Sequence, residues 1–88
     1  MKAVLIYGIA SNTTMESLVA AFPRHKALID EFSARGDVLG IGSFSDRTGA
    51  LAIFKTRNAA EAFVKADPLV LEGLVGSYEL KEWADIFQ

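Results

Sequence analysis

The sequence contains a single histidine, His25, and imidazole is the side chain best suited to move protons near neutral pH. His25, Leu28, Ile29 and Phe32 stand at i, i+3, i+4 and i+7, so they share one face of a predicted helix. That face is the apolar one, and His25 is therefore predicted to point inward. Two interpretations follow for His25, a proton-transfer group and a neutral histidine of the core.

Three further side chains are candidates for contacts with a substrate. Ser43 can offer a hydroxyl to a pocket, or it can simply bond a neighbouring carbonyl. Arg24 can hold a substrate carboxylate, or it can be a solvated surface arginine. Tyr7 can line the pocket, as can Tyr78, although both are equally suited to packing in the core.

Two helices are predicted to position these residues. Pro23 is suited to the first turn of a helix, so the first helix is expected to run from Pro23 to Arg35, with Gly36 as its stop. The residues before it, from Met15 to Ala21, are compatible with a helix and can form a short turn ahead of it. Asn58 is predicted to cap the second helix, Ala59 to Ala66, which Asp67-Pro68 ends, and one more helical turn can form from Pro68 to Gly73.

Four strands complete the pattern, at Ala3–Tyr7, Asp37–Phe44, Ala50–Phe54 and Val75–Trp83. The order β-α-β-β-α-β predicts an α+β, ferredoxin-like fold with a four-stranded antiparallel sheet and both helices on one face. Gly40 and Gly42 fall on one face of the second strand, where we expect another group to approach the backbone closely.

The composition indicates one small acidic domain over residues 1–88, with a formal charge of −2 and no cysteine. This balance argues against a nucleic-acid partner, and the absence of a long apolar stretch argues against a membrane partner. A cytoplasmic protein is the expectation. Hydrophobic residues make up 51% of the chain, and the sheet face without helices is apolar, so we expect a homodimer.

Several segments together resemble the YCII-related (YciI-like) family. They are Arg24-His25, the stretch from Asp37 to Phe44, Ala60-Glu61-Ala62, Ala66-Asp67-Pro68 and the final strand ending at Trp83. The resemblance implies a dimeric α+β barrel in which two protomers join their sheets face to face. This chain has a tight turn at Ser45–Gly49 where other members have a longer loop, so no substrate contact from that loop is carried over.

The resemblance also implies an active site. Its proposed His–Asp pair corresponds to His25 and Asp67, and one relative removes HCl from a chlorinated hydroxyquinol. In such a pair the carboxylate fixes one ring nitrogen and raises the basicity of the other. The structural alternative is that Asp67 only ends a helix, as Asp-Pro often does.

The preferred hypothesis is an acid–base enzyme that eliminates or isomerises a small polar aromatic compound or lactone, without a cofactor or a metal. The alternative is a non-catalytic protein that binds a metabolite in the same pocket. RNA-recognition domains share this fold, but they need several aromatic residues on the third strand, which here carries only Phe54.

Overall fold

The computed structural model describes residues 1–87 and has the predicted βαββαβ order. Its elements are β1 (Lys2–Ile9), α1 (Met15–Ala34), β2 (Val38–Ser43), β3 (Gly49–Phe54), α2 (Arg57–Ala66), α3 (Pro68–Leu71) and β4 (Val75–Trp83). The strands form one antiparallel sheet in the order β2-β3-β1-β4. The helices cover one side of this sheet, which confirms the α+β, ferredoxin-like prediction.

Helix α1 begins at Met15, so the prediction that it starts at Pro23 is wrong. Thr14 caps the helix by accepting a hydrogen bond from the Ser17 amide at 3.1 Å, and the Ser17 hydroxyl in turn accepts from the Thr14 amide. Pro23 lies in the helix interior, where it removes one backbone hydrogen bond. Among residues 1–87, no helix combines the length and the hydropathy needed to cross a membrane.

Helix α2 begins one residue before the predicted cap, so the assignment of Asn58 as its N-cap is also wrong. The Thr56 hydroxyl accepts a hydrogen bond from the Ala59 amide at 3.1 Å and is the observed cap. The predicted apolar side of the helix is correct, since its buried residues are Ala59, Ala60, Phe63 and Val64.

The core lies between the helices and one side of the sheet, which we call the helix-facing side. Alternation in β1 buries Ala3, Leu5 and Tyr7 on this side. The ring of Phe63 from α2 packs at 5.1 Å from Phe54 and 5.3 Å from Phe32, measured between centroids. These rings tie β3, α1 and α2 together beneath the pocket described below.

The opposite side of the sheet carries none of the helices described in residues 1–87. Its centre consists of two cross-strand pairs, Val4 with Ile53 and Ile6 with Leu51, and we call these four residues the open face. Gly40 pairs with Ile53 and Gly42 with Leu51, so both glycines extend the open face. A Cβ added at either glycine meets no atom within 4 Å, so the predicted close approach is not made by this chain.

A close approach does occur at Gly49, at the start of β3. A Cβ at this position lies 1.9 Å from the carbonyl oxygen of Tyr7, a distance that no side chain can adopt without moving the backbone. Gly49 is paired with Gly8, next to Tyr7 in β1. Glycine is therefore required where the β2–β3 hairpin joins the central strand.

Candidate active site

The centre of the site is a hydrogen bond between α1 and the junction of α2 with α3. Asp67 is fully buried at that junction, and its Oδ1 lies 2.8 Å from Nδ1 of His25. The same oxygen accepts a hydrogen bond from the Leu69 amide at 3.1 Å, because Asp67 is also the N-cap of α3. Asp67 thus contacts His25, as the resemblance implies, and it also stands at the end of helix α2, so both interpretations of this side chain hold together.

Tyr7, on the central strand β1, is the third member of this hydrogen-bonded group. Its hydroxyl donates to Oδ2 of Asp67 at 2.6 Å, and both side chains are buried. Burial, together with this hydrogen bond and the nearby carboxylate, raises the pKa of the Tyr7 phenol far above its usual range. Tyr7 therefore remains a donor at neutral pH and holds Asp67 in place.

These donors assign the tautomer of His25. Asp67 already accepts from Tyr7 and Leu69, so the hydrogen on the His25 side belongs on Nδ1, which donates to the carboxylate. The other nitrogen, Nε2, then carries the lone pair of the neutral ring. This is the arrangement of a general base oriented by a carboxylate.

Nε2 of His25 reaches solvent, and His25 lines a pocket. Every buried side-chain nitrogen or oxygen in the described part of the chain has a hydrogen-bond partner, and none there contacts Nε2, so Nε2 must reach the surface of the protein. His25 lines a cavity of about 600 Å³ between α1 and the helix-facing side of the sheet. The rings of Phe22 and Phe63 flank the imidazole, each with its centroid 6.1 Å away.

The wall of this pocket is mostly aliphatic and aromatic, with few polar side chains. Its polar and charged members among residues 1–87 are Tyr7, His25, Lys26, Ser43 and Arg47, and no Asp or Glu belongs to the lining. A pocket of this size and character is suited to a small, largely apolar ligand that a few polar groups orient.

The predicted substrate-binding residues have different surroundings. Ser43 lines the pocket, because the strand register places it on the helix-facing side of the sheet and not on the open face. Arg24 lies outside the pocket lining and forms a bidentate ion pair with Glu72 on the protein surface. Tyr7 lines the pocket, but its hydroxyl is engaged by Asp67.

Lys26 and Arg47 line the pocket as well, although neither was predicted from the sequence. Lys26 follows His25 on a helix, and Arg47 lies in a turn whose Asp and Gly are its obvious sequence signals. Neither position has a motif that would reveal a pocket residue. Within residues 1–87, no group of three or more His, Asp or Glu side chains forms a candidate metal site.

The fold is similar to that of 5-chloro-2-hydroxyhydroquinone dehydrochlorinase (TftG) from Burkholderia phenoliruptrix AC1100, solved in complex with 2,5-dihydroxybenzoquinone. The TM-score is 0.78 and the sequence identity 17%, over 96% of this chain and 94% of the dehydrochlorinase chain. Because the identity is low, this likeness concerns the fold.

The sequence matches no curated protein. The family model of the YCII-related domain, however, matches residues 1–84. That match includes β1, with Tyr7, in addition to the segments from Pro23 to Trp83 that carried the resemblance. The chain therefore belongs to the YCII-related domain family.

Proposed function

We propose that this protein is an acid–base enzyme that eliminates a leaving group from, or isomerises, a small polar aromatic compound or lactone. The observation that carries the proposal is the pair of His25 and Asp67, in which the second ring nitrogen of His25 reaches solvent and His25 itself lines the pocket. In this proposal His25 is the catalytic residue, while Asp67 and Tyr7 act through it as positioning residues.

The chemistry begins with transfer of a proton from a substrate hydroxyl or acidic C–H to Nε2 of His25. Asp67 accepts the Nδ1 hydrogen bond throughout and stabilises the imidazolium that forms. In an elimination, the electron pair left by the proton becomes a new double bond, and the leaving group departs with the electrons of its own bond. In an isomerisation, the imidazolium returns the proton to a different atom of the same molecule.

The similar dehydrochlorinase supports this class of substrate. Its name describes loss of H⁺ and Cl⁻ from a chlorinated, hydroxylated ring, and its bound ligand is a small oxygenated ring. The pocket described above has a volume of about 600 Å³ and mainly apolar walls, which suits one ring with polar substituents. The proposal assigns to this chain the same chemical class of substrate and does not name an individual compound.

Turnover of 5-chloro-2-hydroxyhydroquinone and of related hydroxylated rings, with and without chlorine, tests the proposal. Chloride release and absorbance should report turnover by the unaltered protein. We expect His25→Gln to lower kcat by about 10²–10⁴-fold, because the proton acceptor is lost. Lys65→Gln, an exposed change on α2, is the matched control and should retain activity.

Full turnover by the His25→Gln protein would contradict the assignment of His25. If the unaltered protein binds these rings without converting any of them, the enzyme proposal is wrong and the alternative of a metabolite-binding protein replaces it. Circular dichroism of each variant separates loss of chemistry from loss of the fold.

We also propose that a second copy of the chain covers the open face, so that two sheets pack face to face in a homodimer. Val4, Ile6, Leu51 and Ile53 form a contiguous, partly exposed apolar surface that none of the described helices covers. Gly40 and Gly42 leave β2 without side chains on the open face, which allows a partner sheet to approach.

A further inference from the structure

We infer that Arg47 binds an anionic group of the substrate and so determines which ring compounds the pocket accepts. The inference rests on the proposed function, because it takes the pocket beside His25 as the substrate site. It narrows the substrate class to small rings that carry a carboxylate, or an acidic hydroxyl ionised at neutral pH.

The charges around the pocket provide the first support. The lining contains the cations Lys26 and Arg47 but no carboxylate among residues 1–87. Nζ of Lys26 forms an ion pair with Asp30 at 2.7 Å on the outer surface of α1. No Asp or Glu in the described chain lies within ion-pair distance of the Arg47 guanidinium, which is thus the pocket cation still available to a ligand.

The turn between β2 and β3 holds Arg47 in a defined position. The Arg47 amide donates to the carbonyl of Phe44 at 3.0 Å, and the Phe44 amide donates to the carbonyl of Gly49 at 2.8 Å. Asp46 accepts from the amide and the hydroxyl of Thr48 at 3.0 and 2.6 Å. These bonds lower the pKa of Asp46 and engage its carboxylate within the turn.

The backbone conformation of Arg47 indicates that the turn itself does not require an arginine. Its φ angle is 65°, in the left-handed region that glycine and asparagine adopt at lower cost. The Arg47 side chain adds no hydrogen bond to the turn, since the bond to the Phe44 carbonyl is made by the backbone amide. Its contribution is a cation on the pocket wall.

An arginine in this setting is well suited to anionic oxygens. The guanidinium can donate two parallel hydrogen bonds to a carboxylate, or to neighbouring oxygens of an ionised ring. Apolar neighbours such as Ile41 and Phe44 line the same pocket and reduce the water that competes for these bonds. Arg47 would hold the anion from the hairpin while His25 moves a proton from α1.

Binding of two quinones by isothermal titration calorimetry tests the inference. The hydroxyls of 2,5-dihydroxybenzoquinone are vinylogous carboxylic acids, so this probe is anionic at neutral pH, whereas 2,5-dimethoxybenzoquinone is neutral. We expect Arg47→Gln to weaken binding of the anionic probe by about tenfold or more, and binding of the neutral probe by less than about twofold. Arg47→Lys should recover part of the loss.

Arg57→Gln is the matched control, because Arg57 pairs with Glu61 on the surface of α2 and does not line the pocket. It should bind both probes as the unaltered protein does. Equal binding of the anionic probe by the Arg47→Gln protein would overturn the inference, as would absence of binding to the unaltered protein. Arg47-dependent binding without any turnover would instead overturn the enzyme proposal and leave the role of Arg47 intact.

Discussion

Asp67 has two structural roles in this protein. It caps α3 through the Leu69 amide, and it holds the His25 ring through the second hydrogen bond at the same oxygen. Because the side chain is fully buried, each of these donors replaces water that the carboxylate would otherwise require. Variants of Asp67 therefore change the fold and the chemistry together, whereas His25→Gln removes the acid–base group and retains an amide that can donate to Asp67.

The raised pKa of Tyr7 predicts a loss of stability in alkali. Below about pH 10 the phenol is neutral in the folded and unfolded chains alike. Above that pH the unfolded chain releases the proton while the folded chain keeps it, so stability falls by up to about 1.4 kcal/mol per pH unit. Tyr7→Phe should lack this component of the pH dependence.

Urea unfolding from about pH 8 to about pH 11 measures the effect. The difference in free energy of unfolding between the unaltered protein and Tyr7→Phe should change with pH only in the alkaline range. Tyr78→Phe is the control, since Tyr78 is 50% exposed and lies across the strand pair from Tyr7. A constant difference across the range would contradict the placement of the Tyr7 hydroxyl on Asp67.

Part of this site could be predicted from residue types and the resemblance. The spacing around His25 predicts that it points inward, and Asp67 follows from the resemblance to the family. The contact of Tyr7 with Asp67 could not be predicted, because alternation in β1 shows which face Tyr7 occupies but not where its hydroxyl ends. Arg47 was missed for a related reason: turn signals describe backbone conformation and not the direction of a neighbouring side chain.

At the scale of elements, the longest helix contains a residue that does not favour helices. Pro23 lies eight residues after the first residue of α1 and two residues before His25. It lacks the amide that would bond the carbonyl of Val19, a residue that is 64% exposed, so water can replace that bond. Helix α1 thus lacks one backbone hydrogen bond, at Val19, which is exposed and is also one of the residues that line the pocket.

We expect Pro23→Ala to stabilise the protein by about 1–2 kcal/mol, because it restores the missing hydrogen bond and the helix propensity at an interior position. Urea unfolding at neutral pH measures the change. Pro68→Ala is the control: Pro68 is at the start of α3, where proline is tolerated, and its replacement should give no gain. An unchanged or lower stability of Pro23→Ala would mean that the helix is adapted to the proline.

The boundaries of these helices show where local sequence signals compete. Pro23 is a start signal by residue type, yet Thr14 and Ser17 form a reciprocal cap where the helix begins, at Met15. Asparagine is a residue type that often caps helices, but at this helix the Thr56 hydroxyl accepts the hydrogen bond from the Ala59 amide. The strand β4 and the short helix α3 had no competing signal, and both were predicted at their observed places.

At the scale of the whole molecule, the open face determines the expected assembly. We expect the unaltered protein to have twice the 9.5 kDa mass of one chain in light scattering after size exclusion, and Leu51→Glu to be monomeric. A charge at Leu51 would be buried at the apolar centre of the two facing sheets, which disfavours the dimer.

Leu71→Glu is the matched control for this prediction, because Leu71 is 67% exposed on α3 and is not part of the open face. It should leave the dimer intact. A monomeric unaltered protein would contradict the proposed assembly, and dissociation by both changes would indicate that general destabilisation is responsible.

The close approach at Gly49 has a consequence for engineering the pocket. Any side chain there presses on the carbonyl of Tyr7, whose hydroxyl supports Asp67 and, through it, His25. A change made at the base of the hairpin to alter substrate preference would therefore also disturb the proton-transfer group. Libraries for new substrates should vary residues 45–48, where Arg47 lies, and retain glycine at 49, so that selectivity can evolve separately from reactivity.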